Sequence, residues 1–171
     1  IYETVRVLKD AEMNDLAQKL TDMYKKHVSN MIKNGLNYPS HEVCYEQTIV
    51  TPAVTFIAQL YKITGESYLI DECKKHLEVL QLFNGTQPSF FLNDIAIRHW
   101  DGFWFGKRRL YGDTFPHYWS ILSSIAFLHY SEISGNNEYK RRAFVGARNN
   151  LCLFNADGSA SCAHIYPLTV N

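Results

Sequence analysis

The most regular feature of the chain is an apolar residue at every third or fourth position, the spacing that lines one face of an α-helix. In the N-terminal half this pattern predicts three helices, over residues 10–34, 42–64 and 66–83. The second is apolar on almost all sides, which favours burial, whereas the third has opposed apolar and charged faces. Pro52 implies that the second helix either bends or begins near Thr51.

The C-terminal half shows the same order of elements. Its pattern predicts helices over 116–134 and 137–154 and extended segments over 88–110 and 159–170. Pro116 is suited to the first helical position, with Asp113 or Thr114 near the cap. The chain is therefore expected to be mainly α, with a minor β component.

Two stretches of the chain match each other as an internal repeat with a period of about 70 residues. Ile63-Thr64-Gly65 matches Ile133-Ser134-Gly135, Tyr68 falls opposite Tyr139, and residues 80–84 match 151–155. Each unit reads as a buried helix, a short glycine turn, an amphipathic helix and an extended segment. A lone helical hairpin cannot bury both of its faces, so such units are expected to stack side by side, with the buried helices forming an inner layer.

The stretches LYKITGESYLIDECKKHLEVL and SEISGNNEYKRRAFVGARNNL resemble the hairpins of the (α/α) toroid enzymes, the six-hairpin glycosidase superfamily. The resemblance implies antiparallel helical hairpins of toroid type with short β-hairpin insertions. It also implies a single domain over residues 1–171 that is about half of a toroid, so the remainder of the toroid is an expected partner. Glycoside hydrolases, unsaturated-uronyl hydrolases and polysaccharide lyases share this architecture, and no catalytic residue is carried over from it.

Composition narrows the choice of partner. Lys and Arg (17) balance Asp and Glu (17), which argues against nucleic acid, and the aromatic content of 14% is common where rings stack on sugars. No apolar run reaches the roughly 18 residues of a membrane span, and no signal peptide opens the sequence, so a cytoplasmic location is expected. The four cysteines show neither paired nor zinc-like spacing, so free thiols are expected, with no metal or cofactor.

Candidate chemistry gathers at two segments that lead into the predicted inner helices, residues 38–46 and 95–120. Glu42 and Asp113 are the best pair of carboxylates for glycoside hydrolysis, in which one protonates the leaving oxygen and the other activates water or attacks carbon. Glu42 is equally explained as a first-turn acid and Asp113 as a helix cap. His117 follows Asp113 as a further catalytic candidate.

The remaining candidates would bind substrate. Histidines there suit proton relay or a substrate carboxylate, tryptophan and tyrosine rings suit stacking on sugars, and a cation suits a uronate. They are His41, Arg98, His99, Trp100, Trp104 and Tyr111. Ordinary core packing or solvation also explains each of them.

The sequence therefore predicts a carbohydrate-active enzyme that acts on an oligosaccharide or polysaccharide, with glycoside hydrolysis first and a lyase as the alternative. In a lyase a base removes the proton beside a uronate while a cation neutralises the carboxylate. A non-catalytic glycan-binding module is the third reading. In each case Trp100, Asp113 and His117 are expected to line one concave surface with His41 or Glu42.

Overall fold

The computed structural model describes residues 1–34, 47–81, 84–87, 92–96, 114–117, 120–161 and 163–165, of which the strands and residues 47–51, 120, 149 and 152 are described by backbone alone. The helices are α1 (Tyr2–Asp10), α2 (Asn14–Asn34), α3 (Gln47–Thr64), α4 (Tyr68–Leu80), α5 (Ser120–Ser134) and α6 (Asn137–Asn149), followed by a 3₁₀ turn, Asn150–Leu153. The strands are β1 (Asn84–Gln87), β2 (Leu92–Ala96), β3 (Thr114–His117) and β4 (Ala163–Ile165). The prediction of a mainly α chain is confirmed.

The helices form three consecutive antiparallel hairpins, α1–α2, α3–α4 and α5–α6. The first helices of the hairpins lie side by side, with α3 packed between α1 and α5, and they form the inner layer. The second helices cover them from outside. Fully buried side chains from α2, α3, α4 and α5 meet in one core that includes Tyr24, Ile57, Leu77 and Phe127.

The repeat is visible in the turns between inner and outer helices. Gly65 and Gly135 both have positive φ, 70° and 71°, which glycine adopts without steric cost. Thr64 Oγ1 donates to the Leu60 carbonyl, 3.0 Å away, and accepts from the Glu66 amide. Ser134 Oγ makes the equivalent pair of hydrogen bonds. Each turn thus ends its inner helix in the same way.

Burial corrects the register of the predicted repeat by one residue. Tyr68 is 52% exposed, whereas Leu69, which lies 70 residues before Tyr139, is fully buried. Likewise Leu80 is fully buried and Leu151 is 63% exposed, so the residue equivalent to Leu80 is the buried Asn150. The matches of Tyr68 with Tyr139 and of 80–84 with 151–155 were therefore wrong, because identical letters outweighed the burial pattern.

Three helix starts also differ from the sequence prediction. The predicted helix over 10–34 begins later, since α1 ends at Asp10 and α2 begins at Asn14. Pro116 does not open α5: it lies in β3, and the helix begins at Ser120. α3 begins at Gln47 with Pro52 inside it, so of the two alternatives for this helix the start near Thr51 is excluded.

Cys73 is a free thiol, as predicted, and is completely buried. The side chains of Cys44, Cys152 and Cys162 lie outside the described part of the structure. Among the described residues, none of the helices has the length and apolar character needed to cross a membrane.

Candidate functional site at the entrance to the inner helices

The inner helices α3 and α5 run parallel and in register. Lys62, two residues before the end of α3, forms an ion pair with Glu132, two residues before the end of α5. The Gly65 and Gly135 turns therefore lie at one end of the hairpins, the turn end. The opposite end, where α3 and α5 begin, is called the entrance end.

All four strands belong to segments at the entrance end. α4 returns from the Gly65 turn, so β1, which begins four residues after Leu80, follows the end of α4 there. β1 pairs with β2 in antiparallel register, Asn84 opposite Ala96. β3 leads towards the start of α5 and pairs with β4, which follows α6. The entrance to α5 is thus bordered by backbone from both sides of the α5–α6 hairpin.

His117 is the predicted site residue whose backbone position is described. It is the last residue of β3, opposite Ala163 of β4 and three residues before α5. This position is at the entrance end, in a strand instead of in the helix that the sequence predicted over 116–134. Because the residues from Thr114 to His117 form a strand, the helix-cap explanation for Asp113 no longer holds.

The other predicted site residues lie outside the described residues. They are Glu42, Asp113, His41, Arg98, His99, Trp100, Trp104 and Tyr111. Their expected meeting around one concave surface stays a prediction.

A polar cluster that the sequence analysis missed lies at the turn end of the inner layer. The Lys62 ammonium donates to Glu132, lies 3.3 Å from His129 Nδ1 and sits 5.7 Å from the centre of the Tyr2 ring. α3 thereby contacts both α1 and α5 through one side chain. His129 Nδ1 also lies 3.4 Å from Glu132 Oε2, so it accepts from Lys62 in the tautomer with the proton on Nε2 and donates to Glu132 in the tautomer with the proton on Nδ1.

Burial and the charge of Lys62 lower the pKa of His129, and Glu132 opposes this shift only in part. Burial by itself raises the pKa of Glu132, but its hydrogen bonds and the charges of Lys62 and His129 bring that pKa below its ordinary value. The arrangement is thus a neutral histidine beside an ammonium and a carboxylate that neutralise each other. Such a cluster is better suited to linking α3 and α5 than to binding substrate.

Distance separates this cluster from the entrance. Lys62 follows Gln47 by fifteen positions, which at about 1.5 Å per residue amounts to about 22 Å along α3. One signal in the sequence could have revealed the cluster: His129 and Glu132 are three residues apart on one helix face, and Lys62 precedes Glu132 by 70 residues, one period of the repeat.

Comparison with known proteins finds similarity to a solved structure. No protein-family profile matches the chain, and neither does any curated protein. A solved chain described as a polysaccharide lyase is 52% identical to it and superposes with a TM-score of 0.81. The match covers 95% of this chain but 24% of that chain. The sequence therefore spans about a quarter of the length of the lyase that it resembles.

Proposed function

We propose that this chain is part of a polysaccharide lyase whose helical hairpins form an (α/α) toroid. The single observation that carries the proposal is 52% identity to a polysaccharide lyase along 95% of the chain, with the hairpins superposing at a TM-score of 0.81. The three stacked hairpins, with their parallel inner helices, are what a section of such a toroid requires. The proposed substrate is a uronate-containing polysaccharide.

The proposed reaction is a β-elimination. A base takes the proton from C5 of the uronate. The electron pair of the broken C5–H bond forms the C4–C5 double bond, and the C4–O bond breaks with its electrons remaining on oxygen. The leaving oxygen receives a proton from an acid, so no water is consumed. A cation beside the uronate carboxylate stabilises the charge that develops during proton removal.

The residues proposed for these roles are those of the two segments that the sequence analysis singled out. The candidates for the base and the acid are His117, His41, His99 and Tyr111. Imidazole and phenol groups can remove a proton from carbon and can donate one to the leaving oxygen. Arg98 is proposed to bind the uronate carboxylate. Trp100 and Trp104 are proposed to stack on neighbouring sugar rings. The described position of His117 beside the start of α5 supports its assignment.

The comparison supports the lyase alternative better than the hydrolase that the sequence analysis placed first. The paired carboxylates Glu42 and Asp113 were the motive for hydrolysis, and elimination does not need such a pair. Since Asp113 is no longer explained as a helix cap, its role is a question for experiment.

The test is an assay of the full-length protein on uronate-containing and neutral polysaccharides. A lyase produces new chain ends together with the ultraviolet absorbance of a double bond conjugated to the carboxylate. A hydrolase produces the same number of reducing ends without that absorbance, and a binding module produces neither. Either of the last two outcomes would refute the proposal.

Two matched histidine variants locate the chemistry. His117→Gln should reduce the elimination rate at least about a hundredfold if the residue transfers a proton. His129→Gln, at the turn end, should leave the rate within about twofold, because it lies far from the entrance. Equal effects from the two variants would indicate a loss of folding instead of a loss of chemistry.

A further inference from the structure

An exposed phenylalanine begins a polar loop between α6 and β4. Phe154 directly follows the 3₁₀ turn, and its side chain is 58% exposed. The loop after it, residues 155–161, reads NADGSAS and is exposed throughout. These residues are small or polar, and they leave the ring largely uncovered. A ligand that covers the ring removes apolar surface from water, which favours binding.

Hydrogen bonds within the loop hold it in one shape. The Asn155 amide donates to the Ser159 carbonyl at 2.8 Å, and the Ser161 amide donates to the Leu153 carbonyl at 2.9 Å. Asp157 Oδ1 accepts from the amide of Ser159 at 2.9 Å and from its hydroxyl at 2.7 Å. Because the loop is already ordered, binding at it costs little further ordering.

Two side-chain oxygens of the loop have no hydrogen-bond partner among the described residues. They are Asp157 Oδ2 and Asn155 Oδ1, since Asp157 accepts through Oδ1 and Asn155 donates to Ser159 through Nδ2. Carboxylate and amide oxygens accept hydrogen bonds from hydroxyl groups. A sugar ring presents both hydroxyl donors and an apolar C–H face, and the Phe154 ring can cover that face.

Both ends of the loop are fixed beside β3, the strand that carries His117. The 3₁₀ turn before Phe154 packs against β3, and β4, which follows the loop, pairs with β3. Ala163 of β4 lies opposite His117, and Phe154 pairs with Ala160, three positions before Ala163. Three positions span about 10 Å of extended chain. A polysaccharide that reaches His117 can therefore extend over the loop.

The charge of Asp157 determines which kind of sugar is favoured at the loop. The hydrogen bonds from Ser159 lower the pKa of the Asp157 carboxyl, so it is ionised at neutral pH. No cation among the described residues contributes to this shift. A uronate carboxylate placed beside Asp157 is therefore repelled, whereas the hydroxyls of a neutral sugar form favourable hydrogen bonds to it.

We propose that the loop from Phe154 to Ser161 is a binding subsite for a neutral sugar residue of the polysaccharide. The Phe154 ring stacks on the sugar, and Asp157 and Asn155 accept hydrogen bonds from its hydroxyls. The proposal rests on the proposed function, which supplies the uronate-containing polysaccharide, and it narrows the substrate class. The substrate of the full-length protein contains neutral sugar residues as well as uronates.

Affinity electrophoresis of the full-length protein tests the subsite by binding instead of by activity. The probes are polygalacturonate and alginate, which contain only uronates, and hyaluronan and xanthan, which also contain neutral sugars. At least one of the second pair should retard the protein more strongly than either of the first. Absence of such retardation would overturn the proposal.

Two phenylalanine variants locate the binding. Phe154→Ala should weaken binding to the retarding polysaccharide at least about tenfold, because the stacking surface is lost. Phe144→Ala removes a ring that is 62% exposed on α6, away from the loop, and should leave the affinity within about twofold. Equal effects of the two variants, or no effect of Phe154→Ala, would refute the subsite.

A charge variant tests the preference for a neutral sugar. Asp157→Asn keeps an oxygen that accepts from Ser159 but removes the negative charge. It should raise the affinity for polygalacturonate relative to the retarding polysaccharide at least about threefold. An unchanged ratio would show that Asp157 does not select against uronate and would overturn this part of the proposal.

Stability and turnover separate the remaining outcomes. Phe154→Ala should leave the unfolding midpoint within about 2 °C of the unmodified protein, and a larger fall would show that the ring packs against protein instead of sugar. Elimination that occurs without any dependence of binding on Phe154 would refute the subsite alone. Binding that depends on Phe154 without elimination would refute the proposed lyase reaction alone.

Discussion

Glu12 occupies the backbone position that Gly65 occupies in the next hairpin. Its φ is 59°, close to the 70° of Gly65, and each residue lies in the turn between an inner and an outer helix. A left-handed conformation costs a residue with a Cβ atom about 1 kcal/mol or more. The first hairpin therefore has a left-handed residue in its turn, as the other two have, but without the glycine that adopts this conformation at no steric cost.

We predict that Glu12→Gly raises the free energy of unfolding by about 0.5–1 kcal/mol, because relief of the left-handed strain exceeds the entropy cost of glycine. Gly65→Ala is the reverse experiment and should lower it by about 1 kcal/mol. A Cβ atom at Gly65 meets nothing within 4 Å, so the loss reports backbone strain alone. Urea unfolding curves would measure both changes, and a destabilised Glu12→Gly variant would contradict the argument.

A second prediction concerns Tyr24, whose hydroxyl donates to the Phe56 carbonyl at 2.9 Å while its ring is almost fully buried. Burial raises the pKa of Tyr24, so the hydroxyl remains protonated. Tyr24→Phe removes the hydrogen bond and keeps the ring, and should cost about 1 kcal/mol of unfolding free energy. Tyr24→Ala also leaves a cavity and should cost about 3–5 kcal/mol. Similar losses for both variants would assign the stability to the hydroxyl instead of the ring.

The Lys62–His129–Glu132 cluster predicts a dependence of stability on pH. Because the folded state lowers the pKa of His129 below its ordinary 6.5, the unfolded chain binds the proton more readily. Stability is therefore full above pH 6.5 and declines as the pH falls through the lowered pKa of folded His129. The pKa of Glu132 is lowered from 4.5, so its contribution is lost at more acidic pH.

Variants separate the two contributions. His129→Gln should flatten the decline just below pH 6.5, and Glu132→Gln should reduce the decline that begins near pH 4.5. Unfolding free energies measured from about pH 2 to about pH 8 would show both effects. A decline below pH 6.5 that persists in His129→Gln would assign it to another histidine.

Cys73 is expected to be inert in the folded protein. Its thiol donates to the Val54 carbonyl, 3.5 Å away, and burial raises its pKa to about 12, so the reactive thiolate is scarce at neutral pH. A thiol reagent followed by peptide mass spectrometry should leave Cys73 unmodified in native protein and label it after denaturation. Labelling under native conditions would contradict the buried position.

Much of the helical layout was predictable because apolar periodicity and turn glycines are local signals. The glycines at 65 and 135 and the capping Asn136, whose side chain accepts from the Glu138 amide, end and begin helices where the sequence indicated. The break after Asp10 was not predictable, because Glu12 bears no mark of its left-handed conformation. Pro116 was misleading since proline also suits a strand at a sheet edge.

The candidate site was harder to predict for a different reason. Most of its residues lie in the sequence between β2 and β3, and β3 itself is placed by pairing with a distant strand, Thr114 with Ile165. The sequence around a strand does not indicate which distant strand it pairs with, whereas the spacing of apolar residues that predicts a helix lies within the helix itself. Lys62 and Glu132 are also far apart in the sequence. They are related by the repeat period of 70 residues, but aligning the repeat by identical residues alone obscured this relation.

The pairing of β3 with β4 has a consequence for how the α5–α6 hairpin is held. The Gly135 turn joins the two helices at one end and the β3–β4 pair joins their flanking segments at the other, so the backbone from 114 to 165 forms a closed ring. A single nick at the Gly135 turn would leave its two halves attached to each other through β3–β4 and through the packing of α5 on α6. New chain termini placed at that turn should therefore be tolerated, which makes it the natural point for a circular permutation of this hairpin.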